Sequence, residues 1–313
     1  MAGREIKMGG QAVIEGVMMR SEDLWAVAVR TPEGDIRIRR GSWTPVAKKL
    51  PFLKLPFLRG MVVLIETLVL GIKALNWSAD IAASEASDNP ESNEKGIWWS
   101  LTMAGTVALS LLLGVAAFFY LPLMLTEWMG IDNPVWFNVV DGIIRVALFL
   151  GYLALISRWK EIARVFEYHG AEHQVIAAWE DKKELTWENI RQYSTFHPRC
   201  GTSFILILML VSILVFMFLG KRDNIGERLI RMLFIPLIGG VSYELIRLSG
   251  RFSDNPVARF LIAPGLWLQR ITTSRPDQSQ VEVAAASLRA ALGMDQEDVQ
   301  DKETPLAAGT TAT

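Results

Sequence analysis

Residues 97–125, IWWSLTMAGTVALSLLLGVAAFFYLPLML, run for 29 positions without a charge, between Lys95 and Glu127. A hydrocarbon core of about 30 Å needs only ~20 helical residues at about 1.5 Å each, and Trp98 and Trp99 stand where an aromatic belt is expected. The stretch predicts a membrane-spanning helix, and with it an all-α polytopic membrane protein. Residues 201–220 give a second span, with 20 uncharged positions rich in Leu, Ile, Val and Phe. Residues 134–157 give a third, whose only charges, Asp141 and Arg145, are spaced i,i+4 and can pair on one helix face, lowering the cost of burying both. Residues 229–249 hold a 12-residue uncharged middle between Arg231 and Glu244, interrupted by Pro236 and Gly239-Gly240. They read as a shorter and more irregular fourth span.

Composition agrees with a membrane protein. The chain has 313 residues, 51% hydrophobic and 21% charged, with a mean hydropathy of +0.26. Its 32 basic and 33 acidic residues leave a net charge of -1, so no basic excess points to a nucleic-acid partner. Cys200 is the single cysteine, which excludes an intrachain disulfide. The start, MAGREIKMGGQAVIEG, has neither the apolar core nor the cleavage site expected of a secretory signal.

Working outward from the spans, residues 57–76 are apolar but carry Arg59, Glu66 and Lys73 at intervals of seven, on one helix face. This predicts an interfacial amphipathic helix. With 57–76 on the surface, the basic residues of 1–60, 158–200 and the C-terminal tail all fall on the cytoplasmic side, so both termini are expected to be cytoplasmic. Residues 1–56 form a cytoplasmic segment with a β-hairpin, Leu24–Arg30 and Asp35–Arg40 around Thr31-Pro32-Glu33-Gly34. Residues 77–96 read as a polar connector, 97–250 as the transmembrane domain, 251–295 as cytoplasmic surface helices and 296–313 as a disordered tail.

The candidate chemistry lies in 158–200, the cytoplasmic connection between the second and third spans in chain order. All three histidines, His169, His173 and His197, fall there with Cys200. His169-Gly-Ala-Glu172-His173 is an H-x-x-E-H spacing, which on a helix puts two imidazoles and a carboxylate on one face. Such a face can chelate a divalent ion, zinc foremost, while Glu172 accepts a proton from water as the catalytic base. His197-Pro-Arg-Cys200 offers two further ligands, and Glu244, near the cytoplasmic end of the fourth span, a carboxylate that needs a partner. His169, His173, His197 and Cys200 together would make a closed structural site. His169 and His173 with Glu244 or Cys200 would make an open catalytic one. Glu66, Asp141 and Arg145 could instead belong to a polar path through the membrane.

Four strings resemble the YqhQ-like bacterial membrane proteins: GGQAVIEGVMMR at 9–20, HGAEH at 169–173, HPRCGTS at 197–203 and GGVSYELIR at 239–247. That family is defined as a domain of unknown function and is labelled in places a predicted metal-dependent enzyme. The resemblance runs from about Gly9 to about Leu292. It implies a multi-pass protein of the bacterial inner membrane and draws attention to Gln11 and Glu15 as polar residues of the family motif. The expected activity is metal-dependent hydrolysis at the cytoplasmic membrane face. The alternatives are a transporter or channel with a structural metal site, or a membrane scaffold for a cytoplasmic partner; the bilayer is the one partner the sequence implies, and a homo-oligomer is compatible with it.

Overall fold

A computed structural model describes residues 8–83, 97–219, 225–251 and 255–294. Strands β1 (Gly9–Val13), β2 (Gly16–Arg20), β3 (Leu24–Arg30) and β4 (Ile36–Ser42) pair antiparallel in sequence order as a four-stranded sheet. The expected hairpin is its β3–β4 half, and the expectation omitted β1 and β2. Their two-residue turn, Ile14-Glu15, places Glu15 at φ 51, where Gly or Asn is the usual signal. Tertiary contacts hold it there: the Glu15 carboxylate binds the Arg164 guanidinium through both oxygens, and its carbonyl accepts the Arg30 N–H at 2.8 Å. Strands β2 and β3 are apolar at nearly every position because both faces of the sheet are covered.

The chain continues through a short helix α1 (Val46–Lys49) and a 3-10 turn (Pro51–Lys54) into α2 (Leu58–Ala83). Helix α2 covers one sheet face, with Leu70 and Ala74 against Val13, Met18, Val27 and Val29. It runs beyond the expected end at 76 because Trp77 and Ile81 pack on the same cluster. The remainder of the expected connector, 84–96, lies outside the described residues, as does the expected tail 296–313. In the polar stripe of α2, Arg59 and Glu66 are held inside the protein while Lys73 is exposed. Arg59 Nε donates to Glu244 at 2.6 Å, while Glu66 accepts the Val46 N–H at 2.6 Å with Arg20 3.8 Å away. Ile65, Leu68, Val69, Ile72 and Leu75 are large apolar residues of this helix that are exposed.

Next comes one rod made of α3 (Ile97–Val115), a π turn (Ala116–Tyr120) and α4 (Leu121–Trp128), followed by α5 (Pro134–Ile156), whose first turn is capped by the Asn133 side chain. Helices α6 (Lys160–Glu180), α7 (Trp187–Ile190), α8 (Gly201–Leu219), α9 (Ile225–Arg251), α10 (Pro256–Thr272) and α11 (Gln278–Ala291) complete the chain. Among the described residues three helices are long and apolar enough to cross a membrane, at 108–128, 134–156 and 201–219. The expected fourth span belongs to α9, one 27-residue helix with Pro236 inside it, which is not among those three. Arg231, Glu244 and Arg247 interrupt its apolar run. The second sheet face, through Val17, Met19, Ala26 and Ala28, packs on α6 and α11 around Tyr168, Val175, Val283 and Leu288.

Candidate metal centre

Helix α6 carries His169, Glu172 and His173 on its buried side, as their i, i+3, i+4 spacing requires. Gly170 lets the chain leaving α10 lie against this helix, since a Cβ there would overlap the Ser274 carbonyl. That approach delivers the Thr272 carbonyl to His169 Nδ1 at 2.8 Å. The loop before α8 delivers the Thr195 carbonyl to His173 Nδ1 at 2.6 Å. A carbonyl oxygen only accepts, so Nδ1 carries a proton in both rings and Nε2 is the nitrogen left to ligate.

His169 Nε2 lies 3.2 Å from Cys200 Sγ, which also has Thr202 Oγ1 at 3.0 Å and accepts the Thr202 N–H at 3.4 Å. Ligand atoms of His169, His173 and Cys200 all lie within 4.8 Å of one another. Tetrahedral zinc, with bonds of about 2.0–2.3 Å, sets its ligand atoms roughly 3.3–3.7 Å apart, so shifts of about an ångström would close the group on an ion. Burial pushes the His173 imidazole below its ordinary range, which keeps it neutral and able to ligate.

Glu172 is buried beside this group. One carboxylate oxygen, Oε2, has no hydrogen-bond partner. A Cβ on Gly10 of β1 would stand 3.0 Å from Oε1 and 2.6 Å from the Met18 carbonyl, so the glycine of the N-terminal motif makes room for this side chain. Burial pushes the Glu172 carboxyl up to about 7, against a smaller electrostatic pull from the neighbouring His169 ring. A carboxyl poised there exchanges protons at neutral pH.

The other sequence candidates do not converge here. His197 lies at the rim: its ring centroid is 5.5 Å from that of His173, its Nδ1 accepts the Arg199 N–H at 3.3 Å, and its Nε2 faces Glu180 at 3.7 Å. The closed four-ligand arrangement is therefore not formed. Glu244 is held by Arg59 on the far helix pair, α2 and α9, and is not a third ligand. Gln11 and Glu15 fasten the sheet to its neighbours, Gln11 Nε2 to the Gly71 carbonyl at 3.2 Å and Glu15 to Arg164. Asp141 and Arg145 bond each other at 2.9 Å within α5, and Glu66 sits under the sheet, so the three do not line one path.

Sequence reasoning missed Gln269, which is fully buried and holds the site loop from both sides. Its Oε1 accepts the His197 N–H at 2.7 Å and its Nε2 donates to the His197 carbonyl at 2.9 Å. A glutamine inside an otherwise amphipathic helix was its only signal in the sequence.

The family model for "Protein of unknown function (DUF1385)" matches residues 55–294, which include His169, Glu172, His173 and Cys200. "Uncharacterized protein YqhQ" of Bacillus subtilis (strain 168) is 35% identical over 298 residues, 92% of each chain. No solved structure matches the chain. By the extent of both matches, the chain belongs to the family described as protein of unknown function DUF1385.

Proposed function

We propose that this is a bacterial inner-membrane protein whose cytoplasmic face carries a divalent-metal centre, zinc foremost, and that it hydrolyses an amide or ester there. The observation that carries this reading is the meeting of His169 Nε2, His173 and Cys200 Sγ with both imidazoles anchored through Nδ1. When bound, the ion supplies Lewis acidity and an acidified water. Three protein ligands suit an open site better than a closed one. Glu172 is the base: it takes a proton from water as the water oxygen bonds to the acyl carbon, and returns it to the amine or alkoxide that departs.

Chain parity supports four crossings with both ends on one side. The sheet packs directly on α6 and α11, and Arg30 of β3 reaches Ser279 and Glu282 of α11. An even number of crossings must then separate the sheet from α6, and α6 from α11. The rod ending at Trp128 and α5 supply the first two, which leaves α2 on the surface. Helix α8 supplies the third, so α9 is the return crossing despite its charges.

The test is a panel of fluorogenic amides and esters offered to proteoliposomes of the wild type, Glu172→Gln and His173→Ala. Hydrolysis lost in both variants, with metal retained in Glu172→Gln, is the expected result. Hydrolysis undiminished in Glu172→Gln with its metal in place would refute the assigned base.

A further inference from the structure

Helix α10 meets α8 at a single level. Gln269 Nε2 donates to Ser203 Oγ at 2.9 Å, a Cβ on Gly265 would stand 2.5 Å from Ser203 Cβ, and Thr272 Oγ1 lies 3.4 Å from Thr202 Oγ1. From Gly265 to Thr272 a helix climbs about 10 Å, yet the residues touched on α8 are sequence neighbours. Helix α10 therefore crosses the first turn of α8 steeply instead of running along it. Because α8 is a span that begins at Gly201, α10 lies nearly parallel to the membrane plane at the mouth of that span.

Two stripes divide α10. Ile262, Gly265, Gln269 and Thr272 are buried toward the protein. Val257, Phe260, Leu261 and Trp267 are exposed, Phe260 to 78%. Phe260 and Trp267, two turns apart on one face of a helix that joins a span, have the chemistry of a hydrocarbon boundary, and Arg270, one turn beyond Trp267, can reach headgroups. The buried stripe is part of the metal centre, since Thr272 holds His169 and Gln269 holds the His197 backbone. A helix is about 10–12 Å across with its side chains, so roughly one helix diameter separates the two. Phe196, between Thr195 and His197, adds an exposed ring on the site loop itself.

We propose that α10 is an in-plane lipid-contact helix, and that the centre it braces works at headgroup depth on a membrane amphiphile. The substrate class is an acyl-chain-bearing ester or amide whose polar group lies in the headgroup layer. The claim about the substrate rests on the metal-centre reading above; the claim about α10 does not.

Two measurements on the full chain in phosphatidylglycerol–phosphatidylcholine vesicles test this. In a Cys200→Ser background, nitroxide labels at Phe260→Cys, at Leu111→Cys on α3 and at Asp35→Cys in the β3–β4 turn are compared for access to oxygen and to a water-soluble nickel reagent. The oxygen-to-nickel ratio at 260 should resemble that at 111 and exceed that at 35 several-fold. A ratio like that at 35, or a label at 260 closed to both reagents as it would be under a protein partner, overturns the lipid contact. In the wild type loaded with Co2+, headgroup phosphorus relaxation should be enhanced several-fold over a zinc-loaded control. Bound cobalt, seen by its thiolate absorption band, without that enhancement overturns the headgroup placement and leaves the metal centre standing. Failure to bind cobalt at all would remove the metal-centre reading and with it the substrate class, while the nitroxide ratios still decide α10.

Discussion

Leu288 and Leu111 are the same side chain in opposite situations. Leu288 of α11 is fully buried in the core shared by the sheet, α6 and α11, whereas Leu111 of α3 is 67% exposed. Around Leu288 the apolar residues face inward, as in a water-soluble domain. Around Leu111 they face outward: Leu109, Leu112 and Leu113 are all more than half exposed. One chain thus follows two solvents, and the polar groups that neither needs for its own packing collect at the seam. His169, Glu172, His173 and Cys200 lie there, between α6 of the first region and the mouth of α8 in the second.

The comparison breaks most easily at those leucines. Leu288→Ala should destabilise the sheet-bearing half by about 2–5 kcal/mol, and Leu111→Ala in lipid should change stability by less than about 0.5 kcal/mol. Denaturant titration in mixed micelles, followed by Trp fluorescence, reads both; equal effects would contradict the two-solvent description.

The seam should be visible as a pH dependence. Burial raises the Glu172 carboxyl from its ordinary 4.5 to about 7 in the folded chain, so in metal-free protein the fold binds the proton more tightly than the unfolded chain does. Its contribution is most favourable below 4.5 and is lost as pH rises through 7, a change on the order of 3 kcal/mol. Glu172→Gln in chelator-treated protein should flatten that slope and be the more stable form at pH 8. A wild-type slope retained in the variant would assign the titration to another group. Gly10→Ala should cost about 1–3 kcal/mol by forcing a methyl between the Met18 carbonyl and Glu172, measured by thermal unfolding. Glu15→Gln, at a partly exposed ion pair, should cost ~1 kcal/mol or less.

What could be read in the sequence was what is local. The i, i+3, i+4 face of HGAEH is a property of five residues, and so is the pairing of Asp141 with Arg145. The hairpin at 24–40 announced itself through Pro32 and Gly34, but the turn at Ile14-Glu15 did not, because its left-handed residue is fixed by Arg164 on a distant helix. Glu244 looked like a ligand because its partner, Arg59, stands 185 residues away. The Thr195 and Thr272 carbonyls that orient the imidazoles have no sequence signature at all, since every residue carries one.

The central claim is that the seam holds a metal through His169, His173 and Cys200. Metal content by inductively coupled plasma mass spectrometry, on detergent-purified wild type prepared without chelator beside His173→Ala and Cys200→Ser, tests it directly. The account predicts near-stoichiometric divalent metal in the wild type, background levels in His173→Ala and weakened retention in Cys200→Ser. Metal-free wild type, or equal metal in wild type and His173→Ala, would contradict it.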